Sequence, residues 1–107
     1  MATEANRVRQ ILHFLNSLDN CKAIKLHGNR FVESGTPDIL CCYDGACWLF
    51  EVKLEGKEPS SIQRLRIAEW RVAGAQVRLV HNLHEVKKAL GLVRPDPYLK
   101  TSPPYGG

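Results

Sequence analysis

The sequence predicts an α/β fold: a mixed β-sheet flanked by helices on both faces, with elements in the order α-β-β-β-α-β-α. Three observations predict it. Apolar residues recur at three- and four-residue steps near the N-terminus, the mark of an amphipathic helix. An Asp44-Gly45 pair separates two β-prone runs, a strong hairpin signal because a two-residue turn needs left-handed backbone at both positions. Both arms of that hairpin are apolar on both faces, which suits a sheet covered from two sides.

Each element has its own warrant. Thr3 caps a helix in which Val8, Ile11, Leu12, Leu15 and Leu18 recur on one face, running to about Asp19. Cys21 to Leu26 is a short strand with Lys22 at its rim, broken by Gly28-Asn29, and Arg30 to Thr36 reads as a loop. The hairpin arms are Pro37 to Tyr43 and Ala46 to Lys53, followed by a polar loop holding Gly56 and Pro59. Ser60 or Ser61 caps a second helix that reaches about Ala73 and is closed by Gly74. On it Gln63, Ile67 and Trp70 share a stripe expected to face the sheet, while Leu65, Ala68 and Val72 lie on the other side. Gln76 to His81 alternates as a strand, and Asn82 with Glu85 makes a capping box for a short helix ending before Gly91. Residues 1–93 are thus expected to form one domain. Residues 94–107 hold four prolines and two glycines and read as a flexible tail.

Composition narrows the function classes. A chain of 107 residues has room for one core and one site. No apolar run approaches the ~18 residues of a membrane span, and the N-terminus lacks a signal-peptide pattern, so a cytoplasmic protein is expected. Fifteen Lys and Arg against 11 Asp and Glu leave a formal charge of +4, which favours a polyanionic partner. The four cysteines show no C-x-x-C pair; they are expected to be reduced thiols, although Cys42 and Cys47 fall opposite each other in the hairpin.

The hairpin also concentrates charge. With a two-residue turn, Tyr43 pairs with Ala46 and the same register places Asp38 across from Glu51, their Cβ atoms roughly 5 Å apart on one face. Side chains alternate along a strand, so Lys53 shares that face with Glu51. Two opposed carboxylates repel and call for a compensating cation. Lys53 supplies one charge, and a divalent ion with an oxygen shell, Mg²⁺ or Mn²⁺, would accept both carboxylates and a carbonyl such as that of Val52. Such a group suits phosphodiester hydrolysis, with the cation activating water and polarising the phosphoryl oxygen. A surface ion pair at the hairpin's open end is the plainer alternative, as a capping box is for Gln63. Arg30, Arg64 and Arg71 are candidate phosphate contacts, or solvated surface.

Gly35-x-Pro37-Asp38, 12 intervening residues, Glu51-x-Lys53 and then Gln63 in a helix resemble the PD-(D/E)XK nuclease superfamily, most closely its small stand-alone VRR-NUC branch. The resemblance spans about Glu4 to Leu90 and implies a restriction-endonuclease-like α-β-β-β-α-β core followed by a short helix. It further implies a DNA endonuclease in which Asp38 and Glu51 bind Mg²⁺ or Mn²⁺, Lys53 serves the attacking water and Gln63 positions the substrate. Members of the superfamily often bring a glutamate from the first helix near the metal. Glu4 is the candidate here, although a first-turn acid also suits the helix dipole. Branched or otherwise distorted DNA is the expected substrate class. The short chain points to a homodimer on duplex or junction DNA, and a helicase or other DNA-processing protein is the kind of partner that would deliver it. The alternative is a binding or scaffold module that keeps the fold without cleaving.

Overall fold

The computed structural model describes residues 2–26 and 30–93; the segment expected to be a tail, 94–107, lies outside them. The elements are α1 (Glu4–Leu15), β1 (Cys21–Lys25), β2 (Ile39–Tyr43), β3 (Ala46–Val52), α2 (Ser61–Val72), β4 (Gln76–Val80) and α3 (Leu83–Ala89). They form a four-stranded sheet in the order β1-β2-β3-β4, antiparallel except for the parallel pair β3–β4. The element between those two strands is α2, as a parallel crossover requires.

Local signals set the boundaries. The Thr3 side chain accepts from the Asn6 N–H and starts α1. The helix stops at Leu15, four residues short of the expected end, because the Asn16 side chain turns away to the sheet: its amide donates to the Ala23 carbonyl at 3.0 Å and accepts from the Ala23 N–H at 2.9 Å. The Asp44-Gly45 turn has positive φ at both residues, 49° and 88°, as the hairpin reading requires. Its register pairs Ile39 with Phe50, Cys41 with Trp48 and Tyr43 with Ala46. Asn82 caps α3, but the Glu85 carboxylate accepts from the His81 N–H instead of closing the expected capping box.

The sheet is covered unequally. Against one face α1 and α3 pack Val8, Ile11, Leu15 and Val86 onto Ile39, Cys41, Phe50, Val52 and Val80, all buried. Full burial of each such aliphatic or aromatic side chain is worth about 1.5–3 kcal/mol, so this face carries most of the core. On the other face the buried apolar cluster among the described residues is smaller: Leu49, Ile67 and Val77. Of the expected sheet-facing stripe of α2, Ile67 is buried while Trp70 remains 43% exposed, and Leu65 and Val72 are open to solvent. Helix α2 therefore has an apolar outer side that no other described helix covers.

The cysteines divide by face. Cys41 is buried on the α1 side, its Sγ 3.6 Å from that of half-buried Cys21, and burial together with that neighbour pushes the Cys41 thiol up to about 12. Cys42 and Cys47 form a disulfide, correcting the expectation of reduced thiols. The reason is the hairpin register itself, which sets the two residues directly opposite with Cα atoms 4.0 Å apart. Among the described residues no helix is long and apolar enough to cross a membrane.

Candidate active site

The open end of the β2–β3 hairpin is where the acids gather. The strand ladder closes at Ile39 and Phe50, so Asp38 sits one residue before β2 while Glu51 is still inside β3. Two hydrogen bonds fix Asp38: its carbonyl accepts from the Leu26 N–H at 2.7 Å, and its Oδ2 accepts from the Val52 N–H at 2.8 Å. The Asp38 carboxylate is thereby tied to the main chain of β3, and its backbone carbonyl to the residue that follows β1.

Glu51 is the one buried polar or charged side chain among the described residues, at 1% exposure. Its Oε1 has no hydrogen-bond partner. Burial, then the Asp38 charge, lifts its pKa from 4.5 to about 8, and the Lys53 charge offsets part of that rise. Lys53 stands with its Nζ 3.9 Å from Glu51 Oε2 and its side chain 15% exposed. That separation exceeds the roughly 2.7–2.9 Å of a charge-assisted hydrogen bond, so the ammonium accompanies the carboxylate without saturating it.

A cavity of about 140 Å³ opens on these groups, lined by Glu4, Ala5 and Val8 of α1, Lys25 of β1, Asp38, Glu51 and Gln63 of α2. Gln63 has both of its sequence-level roles in reach. It closes a capping box with Ser60, its Oε1 accepting from the Ser60 N–H at 2.9 Å, and it lines the cavity as well. Glu4 Oε2 accepts from the Leu54 N–H at 3.3 Å, tying the start of α1 to the end of β3. One turn on, Arg7 binds the Glu55 carboxylate and the His81 carbonyl and holds the helix over the hairpin's open end. A larger apolar cavity of about 560 Å³ lies beside Leu40, Leu49, Trp70 and Ala75, and none of the site residues lines it.

Asp38, Glu51, Lys53, Gln63 and Glu4 are thus brought to one place, and Val52 joins them through its N–H to Asp38. The arginines are not. Arg30 stacks over Phe31 at 4.9 Å, Arg64 pairs with Glu58 at 3.0 Å, and the Arg71 guanidinium donates to the Val77 carbonyl at 2.9 Å. Lys25 is the site residue that sequence reasoning missed. Only the β1–β2 register brings it there, by pairing the last residue of β1 with Ile39, the immediate neighbour of Asp38.

The site's donors suit a hard divalent cation. A buried carboxylate with an unpartnered oxygen, next to a second carboxylate, is an all-oxygen set of the kind Mg²⁺ and Mn²⁺ take. No group of three or more His, Cys, Asp or Glu side chains is poised around one point among the described residues, so the carboxylates would share such an ion with other donors.

No protein-family model matches the sequence, and no curated protein does. Solved structures do. One described as a "VRR_NUC domain" superimposes with a TM-score of 0.68 at 29% identity, over 84% of this chain and 97% of that one. Another, a "VRR_NUC domain protein", gives a TM-score of 0.66 at 17% identity over 84% of this chain and 86% of that one, a likeness of fold alone. Together with a four-stranded mixed sheet flanked by helices, these matches support a VRR-NUC-like, nuclease-like domain.

Proposed function

We propose that this chain is a divalent-cation-dependent endonuclease that hydrolyses phosphodiester bonds in DNA. The observation that carries the reading is Glu51, a buried carboxyl with one oxygen unpartnered beside Asp38. Burying a charge this way costs several kcal/mol unless something compensates, and Lys53 at 3.9 Å compensates only in part. Asp38 and Glu51 would hold Mg²⁺ or Mn²⁺, with the Val52 carbonyl as a further oxygen donor; Glu4, whose Oε2 accepts from the Leu54 N–H, lines the same cavity without completing a three-acid cluster. A bound ion would supply Lewis acidity toward the phosphoryl oxygen and acidify a water. Lys53 would orient the attacking water and offset charge developing in the transition state. Gln63, held by its own helix cap, positions the substrate at the cavity's rim.

The cavity's size supports a site that reads backbone and not base. At about 140 Å³ it is below the roughly 300–1,000 Å³ of pockets that enclose whole ligands, so selection of branched or distorted DNA would rest on shape. Among the candidate arginines, Arg30 lies on an exposed turn without an ion pair among the described residues and is the best candidate for a backbone contact, whereas Arg71 is spent on the Val77 carbonyl.

The test is incubation of the protein with supercoiled plasmid and with branched DNA in Mg²⁺, Mn²⁺ or EDTA, beside Asp38→Ala and Lys53→Ala. Nicking that requires the divalent ion and falls at least about a hundredfold in both variants is expected. Nicking that persists unchanged in both variants would remove the site assignment. DNA binding without cleavage in either metal would establish a non-cleaving module.

A further inference from the structure

We propose that Lys25 grips the scissile phosphate. The inference rests on the nuclease reading above and extends it by naming the side chain that meets the substrate's negative charge. The cavity is lined by three acids, Glu4, Asp38 and Glu51, and one base, Lys25. A phosphodiester entering it meets repulsion from every other charged group in the lining.

Lys25 is the one basic residue lining this cavity among the described residues, and two features fit it to a phosphate. Its side chain is exposed and makes no ion pair among the described residues, whereas Lys53 is paired with Glu51, Arg7 with Glu55, Arg64 with Glu58 and Arg66 with Glu33 and Glu69. Its backbone is nevertheless rigidly set. Lys25 pairs with Ile39 across the β1–β2 ladder, and the next residue, Leu26, donates to the Asp38 carbonyl at 2.7 Å. A mobile ammonium on a fixed strand end, facing the cavity that the catalytic acids line, is how a lysine serves as a phosphate contact.

The two lysines therefore divide the work. Lys53 lies largely buried against Glu51 and accompanies that carboxylate. Lys25 reaches the cavity from β1, on the far side of β2, and neutralises a non-bridging oxygen as charge builds on the phosphate. The cavity, well under the size that would enclose a base, admits one such group.

Lys25→Ala and Lys25→Arg test this by three measurements. Steady-state cleavage in Mn²⁺ gives kcat and KM. Melting with and without Mn²⁺ reads the cation site independently of activity. Binding of short duplex DNA across a salt series, in an Asp38→Ala background that does not cleave, counts phosphate contacts. Lys25→Ala is expected to lower kcat about a hundredfold with a smaller change in KM, and Lys25→Arg to recover most of the loss. The Mn²⁺ melting shift should persist, and the slope of log affinity against log salt should shrink by about 0.9. Cleavage by Lys25→Ala within threefold of wild type, an unchanged salt slope, or loss of the Mn²⁺ shift overturns the role. A wild type that cleaves nothing in any divalent ion overturns the nuclease reading and this role with it, so the two failures are told apart by which protein shows them.

Discussion

Glu51 holds the site's largest electrostatic cost, and its consequences can be read without any substrate. Burial and the Asp38 charge raise its pKa to about 8 from 4.5, so between those values the folded protein binds more protons than the unfolded chain. Stability from this group is fully present below pH 4.5 and is lost as pH rises through about 8. In EDTA the melting temperature of the wild type should therefore fall across that window, and Glu51→Gln, which cannot ionise, should flatten the decline. Added Mn²⁺ stabilises the ionised form, so it should restore melting temperature most at pH 8 and above, in the wild type and not in Glu51→Gln. A wild-type melting curve independent of pH in EDTA would refute the buried charge. At this scale the sequence was informative where counting sufficed: the two-residue turn placed Asp38, Glu51 and Lys53 together. It was silent on the unpartnered Oε1 and on Lys25, because both depend on how α1 and β1 close over the hairpin end.

Gly35 shows why a loop residue belongs to the same machinery. Its φ is +83°, and a Cβ built there would lie 2.7 Å from the Ile62 carbonyl oxygen in the first turn of α2. Loop and helix thus touch backbone to backbone, two residues before Pro37 and three before Asp38. Gly35→Ala combines left-handed strain with a clash against main chain that cannot move aside cheaply, and about 1–3 kcal/mol of stability should be lost. For a domain of this size that is at least ~4 °C in melting temperature. Because the displaced turn also carries Ser60 and Gln63, cleavage should suffer beyond the loss of stability; Gly45→Ala, with open space around its Cβ, controls for backbone strain alone. Equal effects of the two substitutions would show that the close approach to α2 is immaterial. The sequence marked the Gly-x-Pro-Asp step but not its cause. All seven elements were visible from capping residues, periodicity and the Asp-Gly turn, and the errors fell where side chains chose tertiary partners: Asn16 leaving α1 for Ala23, Glu85 turning to His81, and Cys42 meeting Cys47.

One chain carries one such cavity among its described residues and so addresses one phosphate at a time, while a duplex has two strands to cut. The working unit we propose is a pair of chains. The sequence suggested this through size and through a second helix apolar on two sides, and the structure leaves that α2 incompletely covered, with Leu65 at 49% and Val72 at 90% exposure on its outer side. Burying that side against a second copy would remove apolar surface from water and bring a second site to the DNA. The pairing is then a concentration effect visible in the products. At low protein concentration a supercoiled plasmid should be converted to open circles. The ratio of linear to nicked product should climb with concentration, over the same range in which sedimentation mass rises from 12.1 kDa to twice that value. Val72→Lys, a substitution at a site remote from the carboxylates, should shift both transitions to higher concentration while nicking per chain stays at the wild-type rate. A product ratio that ignores concentration, with a mass fixed at 12.1 kDa, would show instead that single chains act independently, cutting the second strand only after a fresh encounter.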